Sequence, residues 1–229
     1  MEVPAQVWLV ARRSILRTLR QPAMVFPTLV FPLILLAVNA GGFNAATQIP
    51  GFPTDTYLSF GLSVTFMQGA LFASTTAGTE LAGDVESGFM NRLSLTPLRG
   101  SALLTGQLAG AVFVALLGTV VYLLVGVAFG VDIKAGLAGV AVLIVLAIAV
   151  ASAFGAIGIW MALRTGSAEA VQGVFPLLFV LFFLSSISLP RDLIAQDWFR
   201  SIADWNPVSY MVEGLRSLVI TGWDAEALW

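Results

Sequence analysis

The chain has 229 residues, of which 58% are hydrophobic and 10% charged, and its net charge is −2. A soluble domain carries roughly 25% charged residues, so lipid must be the solvent for most of this chain, which reads as an all-α polytopic membrane bundle. It has no cysteine and no histidine, which excludes disulfides, thiolate and Ser-His catalysis and most zinc or haem sites, and its weak negative charge excludes a basic field for nucleic acid.

The first twenty residues lack the order of a cleavable signal peptide, in which positive charge precedes a short apolar run. Residues 1–21 instead predict an amphipathic helix lying on the membrane surface. Arg13, Arg17 and Arg20 recur on one face at helical spacing, while Trp8, Ile15 and Leu19 lie on the other. Arg12 falls near the apolar edge. The same residues also suit a basic flank that orients the first span, and the two readings are compatible. Pro22 then breaks the helix.

Residues 23–41 form the first predicted span, with Pro27 and Pro32 inside it to kink it, and 42–55 read as a loop. The second span covers 57–81 and is followed by a polar loop, 83–100. The third covers 102–129 and the fourth 136–163, with Trp160 as an interfacial anchor. The fifth covers 170–189, with a kink at Pro176. The tail from 190 onward is too polar for a span and reads as two short amphipathic helices broken at Asn206-Pro207, with Trp198, Trp205 and Trp223 at the lipid boundary. The whole is one transmembrane domain, 1–229.

Orientation follows from the basic residues. With the N-terminus in the cytoplasm, inner segments hold Arg12, Arg13, Arg17, Arg20, Arg92, Arg99 and Arg164, and outer segments hold Lys134, Arg191, Arg200 and Arg216. The 83–100 loop is then cytoplasmic and the tail outside. Spans one, three and five carry no ionisable group in their middles, and Glu80 lies near the inner end of span two. Ion coupling usually needs more buried charge than that, and the chain shows no internal repeat of the kind common in secondary transporters. The sole lysine, Lys134, sits in Val-Asp-Ile-Lys-Ala-Gly, which is no phosphate-binding loop, so any ATP must bind another chain.

The 83–100 loop opens on Gly83-Asp84-Val85-Glu86-Ser87-Gly88, continues with Phe89-Met90 and Arg92-Leu93, and closes on Pro97-Leu98-Arg99. A short helix with apolar knobs and mixed charge suits a groove on a cytosolic partner, and the residues equally suit an ordinary solvated loop.

Taken together, the Arg-rich start, Glu86-Ser87-Gly88 with Arg92-Leu93 and Thr96-Pro97-Leu98-Arg99, Ser185-Ser186-Ile187-Ser188-Leu189-Pro190, and Trp205-Asn206-Pro207-Val208-Ser209-Tyr210 with Glu213 and Arg216 resemble the permease subunit of type-2 ABC exporters. The daunorubicin-resistance permease group is the nearest in pattern. The resemblance implies a plasma-membrane exporter, in a bacterium the inner membrane, moving a drug, lipid or glycolipid out of the cytoplasm. It implies two permease copies, alike or different, and two ATP-binding cassette subunits that hold the ATP and magnesium. Coupling to the ATPase then falls on Glu86, Gly88, Arg92, Pro97 and Arg99. A re-entrant outer hairpin falls on 190–220, with Pro190, Asn206, Pro207, Glu213 and Arg216.

The resemblance further implies a sixth span after the hairpin. The sequence ends at Trp229, where that span would begin, so the expectation is a shortened chain rather than a natural five-span form. The small-residue pairs Gly106/Gly110, Gly126/Gly130 and Ala151/Gly155 offer close helix contacts, within one subunit or at a dimer interface. Phe26, Phe31, Phe175 and Phe179 could line a substrate path or simply face lipid. An ion-coupled transporter or channel is the alternative function, with Glu80 as its test residue.

Overall fold

The computed structural model describes residues 2–93 and 95–223. Met1, Ser94 and residues 224–229, where the sixth span is expected to begin, lie outside the described residues. Among the described residues all regular structure is helical. The helices are α1 (Val3–Leu19), α2 (Pro22–Phe43), α3 (Tyr57–Glu86), α4 (Phe89–Leu93), α5 (Gly100–Ala128), α6 (Gly136–Thr165), α7 (Ala168–Phe183), α8 (Asp197–Trp205) and α9 (Pro207–Ile220).

Among the described residues three stretches are long and apolar enough to cross a membrane: Pro22–Gln48, Gly100–Ala128 and Gly136–Thr165. Their outward surfaces are apolar, with Val38, Leu124, Val127, Leu137 and Val145 all more than half exposed. Water would penalise such a surface, whereas lipid does not. α3 is the most enclosed of the long helices and carries buried Ser63, Thr65, Thr76 and Thr79. Each of these hydroxyls donates to a carbonyl three or four residues earlier in the same helix, so none is left unsatisfied.

Several boundaries differ from the sequence reading for identifiable reasons. α2 runs unbroken past Pro27 and Pro32 to Phe43, and the expected 42–55 loop opens with a 3-10 turn, Asn44–Gln48. α3 continues through Gly83–Glu86 and thereby shortens the expected 83–100 loop. Its stop is Gly88, which takes φ +68, a left-handed conformation that costs glycine little. α7 ends at Phe183 rather than near 189, because the carbonyls beyond it are claimed by side chains of α9 and its cap, as described below.

The described residues cluster into two compact units, each discontinuous in sequence. The first comprises Met1–Thr28, Gly69–Leu117 and Ile148–Leu177. In it α1 lies against α5, where a Cβ added to Gly106 would come 2.5 Å from the Val10 Cβ, and one added to Gly110 would strike the Ser14 hydroxyl. Gly155 meets Leu108 in the same way, and Gly78 lies against the Gly158 carbonyl and Val171. These small residues therefore serve packing within the chain, as Gly126 does in the second unit by receiving Leu62.

The second unit comprises Leu29–Gln68, Gly118–Ala147 and Leu178–Trp229. Its core joins Leu36, Leu62, Phe66, Tyr122, Leu143, Leu215 and Leu218, all buried. The turn before α6 is pinned to the end of α9 by Lys134 N–H donating to the Val219 carbonyl and Ala135 N–H donating to that of Leu218. α9 thus contributes buried residues along most of its length and is a core element rather than a surface helix.

Candidate coupling site

The first unit inverts the usual amphipathic logic. α1 turns Gln6, Ala11, Ser14 and Thr18 inward and leaves Trp8, Leu9, Leu16 and Leu19 exposed. The polar stripe meets two carboxylates on α3, Glu80 and Asp84, which are one helical turn apart and both buried. Asp84 accepts both guanidinium nitrogens of Arg13, at 2.7 and 2.8 Å, one of Arg17 at 2.7 Å, and the Gln107 amide of α5 at 3.0 Å. Glu80 accepts the Thr18 hydroxyl at 2.9 Å and the Ser14 hydroxyl at 3.1 Å.

Burial alone would raise the Asp84 carboxyl. The Arg13 hydrogen bonds, the charges of Arg13 and Arg17 and the Gln107 amide outweigh it and hold Asp84 below the ordinary carboxylate range. The Arg13 guanidinium is raised in turn, chiefly by its hydrogen bond to Asp84. A bidentate, charge-assisted pair of this kind fixes orientation as well as adding strength.

The same helix holds the polar connection between α3 and α5. Gln6 donates its amide to the Pro97 carbonyl at 3.1 Å, and its side-chain oxygen accepts the Arg99 backbone N–H at 3.0 Å. Arg13 stacks 4.0 Å over the Phe89 ring of α4. Glu86, at the end of α3, accepts the Ala168 N–H at 2.9 Å and so caps the start of α7. Leu9, Val10, Phe89, Leu93, Pro97 and Leu103 line an apolar cleft of about 290 Å³ between α1 and this segment. Leu95, at its tip, is 87% exposed.

The structure therefore distributes the sequence-derived residues as follows. Glu86, Gly88, Pro97 and Arg99 are tied to α1, to the α3–α4 turn or to α7, while Arg92 stands exposed. Arg13 and Arg17 converge on Asp84, and Arg20 does not join them. In the second unit, Asn206 caps α9 by accepting the Val208 N–H at 3.0 Å, with Pro207 at the first helical position. Its amide donates to the carbonyls of Leu181 and Leu184. Arg216, buried, donates to the carbonyls of Ser186 and Ile187 at 3.0 and 3.3 Å and lies 3.6 Å over the Phe60 ring. Glu213 pairs with Arg191, which follows Pro190. Phe26 and Phe31 are exposed on α2, whereas Phe175 packs on Phe72 and Phe179 on Phe182 and Phe183.

Asp84, Gln107 and Gln6 escaped the sequence reading as site residues. The signal was present: Asp84 follows Glu80 by four residues, and Arg17 follows Arg13 by four, so two helices carry complementary charges at matching spacing.

A chain whose described residues are helical, whose long helices expose apolar faces and whose spans hold few charges is a membrane protein. Residues 5–220 match the family described as ABC-2 type transporter. A Porphyra purpurea protein named as a transport permease, ycf38, is 27% identical over 221 residues, which cover 94% of this chain and 74% of that protein. The chain belongs to the ABC-2 type transporter family, as a transport permease.

Proposed function

We propose that this chain is the membrane-spanning subunit of an ATP-driven exporter and that the segment from Glu86 to Arg99 receives the stroke of a separate ATPase. One observation carries the reading. The exposed α4 segment is not a free loop: Gln6 and Arg13 tie it to α1, and Glu86 ties its start to α7. A push on α4 from below would reach three helices through direct contacts, which is what transmission between sites requires. Leu95, Arg92 and Phe89 would meet the ATPase. The N-terminus lies in the cytoplasm, five segments cross the membrane, and the α8–α9 hairpin dips in from the outer side. Two such permeases, alike or different, work with two ATPases that hold ATP and magnesium, as in drug-resistance permeases. The substrate is an apolar or amphipathic molecule such as a drug, a lipid or a glycolipid.

Purification of the full chain from its native membrane in mild detergent tests the reading. An ATP-hydrolysing subunit should accompany it, and Glu86→Ala with Arg92→Ala should weaken the association. A permease that transports with no ATPase present would overturn the proposal. Loss of that transport in Glu80→Gln would then support ion coupling, for which the buried Glu80 carboxylate is the one favouring observation.

A further inference from the structure

We propose that the outer face of α1 holds the phosphate of an anionic phospholipid, gripped by Arg12, Arg13 and Arg20 with Leu9 and Leu16 beneath the lipid's first methylenes. These residues, with Arg17, line a cleft of about 530 Å³ along the helix. Two of the four guanidinium groups, Arg13 and Arg17, share one carboxylate, Asp84. Arg12 and Arg20 are exposed and form no ion pair among the described residues. Asp84 and, farther off, Glu80 face Arg13 and Arg17, so the positive excess of the cleft lies at Arg12 and Arg20.

Position makes the excess informative. Arg12 emerges from the same face as Trp8, Leu16 and Leu19, which are 65%, 38% and 51% exposed. An arginine within a lipid-facing apolar stripe must extend its guanidinium to the polar boundary and find an anion there. The neighbouring Arg13 and Arg17 keep 38% and 31% of their side chains accessible, so N–H edges remain for a second acceptor. Guanidinium forks match phosphate oxygens in pairs, and clustered arginines on an interfacial helix favour anionic over zwitterionic headgroups. Leu9 and Leu16 supply apolar contact one step below the charges, as a glycerophospholipid needs and a free phosphate does not. The inference rests on α1 lying at the membrane surface, which is part of the reading above, but not on coupling to an ATPase.

Native mass spectrometry of the purified full chain, titrated with phosphatidylglycerol, with phosphatidylcholine of the same acyl chains, or with inorganic phosphate, provides the test. Phosphatidylglycerol should bind at about one saturable site, with an affinity lowered about tenfold or more in Arg12→Gln/Arg20→Gln. Lys134→Gln/Arg164→Gln, which removes the same charge elsewhere, should bind as the parent does. Equal weakening in both variants would mean diffuse attraction and would overturn the proposal. So would equal occupancy by phosphatidylcholine, or displacement by millimolar inorganic phosphate. No ATPase is present in the assay, so failure of the coupling reading leaves its outcome unaffected.

Discussion

Asp84→Ala should release α1 from the first unit. The substitution leaves the two arginines and Gln107 facing an empty acceptor position. Breaking a buried ion pair by removing one partner costs about 3–5 kcal/mol. Arg13 and Arg17 are each about a third exposed and can recover hydration, so we expect roughly 2–3 kcal/mol here. That corresponds to an undocked population larger by about 30- to 150-fold. The chain has no cysteine, so Ala11→Cys, at a buried position of α1, supplies a single label site. Maleimide labelling of the introduced thiol should accelerate by that factor in Asp84→Ala and less in Asp84→Asn, which can still accept from Gln107. A rate within twofold of the parent would refute the anchor. The pH dependence has a defined sign. Because the folded carboxyl is depressed, its contribution is present in full above the ordinary aspartate value near 4 and is lost only as pH falls through the lower folded value. The protection of α1 amides against hydrogen exchange, taken relative to the intrinsic rate at each pH, should therefore stay flat from about pH 8 to 5 and fall below about 4 in the parent, with no such step in Asp84→Asn.

Two further substitutions test the packing. Gly106→Val should press α1 away from α5, since even a Cβ there would sit 2.5 Å from Val10 and 3.2 Å from the Ala11 backbone nitrogen. Overpacking of this kind costs about 1–3 kcal/mol, and the same thiol label in the Ala11→Cys background should report it, with Gly106→Ala milder. Arg216→Met should lower thermal stability in detergent, read by tryptophan fluorescence, by about 2 kcal/mol. It strands the Ser186 and Ile187 carbonyls and loses the Phe60 contact, while relieving one buried charge. Arg216→Lys should recover only part of the loss, because an ammonium can reach the two carbonyls but lacks the planar guanidinium face that lies over the Phe60 ring. An unchanged melting curve in Arg216→Met would show that the 184–189 turn holds itself.

Elements governed by local pattern were legible in the sequence. The apolar runs gave α5 and α6 within a few residues, and Asn206-Pro207 marked the start of α9, because a cap and a proline act on the residues beside them. What escaped depends on partners distant in the chain. α7 stops at Phe183 because Asn206 and Arg216 take the following carbonyls, and nothing within 184–189 announces that. The helical spacing puts Arg13, Arg17 and Arg20 on one face, but it does not show that Arg13 and Arg17 reach Asp84, 71 residues from Arg13. Likewise Gln6 looks like one polar residue among many until its amide is seen to hold both Pro97 and Arg99.

The placement of charge in the first unit bears on how such a protein could be driven. An ion pathway needs an ionisable group that exchanges partners with water or with the transported ion. Asp84 is engaged by three side chains, and both oxygens of Glu80 accept hydroxyls of α1. These carboxylates fasten one helix to another. The same α1 that they fasten also holds the α4 segment through Gln6 and Arg13, and α4 with the turn after it presents Arg92 and Leu95 outward. A force applied at α4 would load bonds to α1, and through Asp84 and Gln107 would load α3 and α5 together. The continuity of these contacts is what favours, on the function proposed above, a mechanical input at the α4 segment over an ion bound in the interior. On the coupling proposed above, severing it at Asp84 should separate binding from stimulation: in Asp84→Ala an ATPase should still co-purify with the chain, but added substrate should no longer accelerate its hydrolysis, and a stimulation equal to the parent's would refute the linkage.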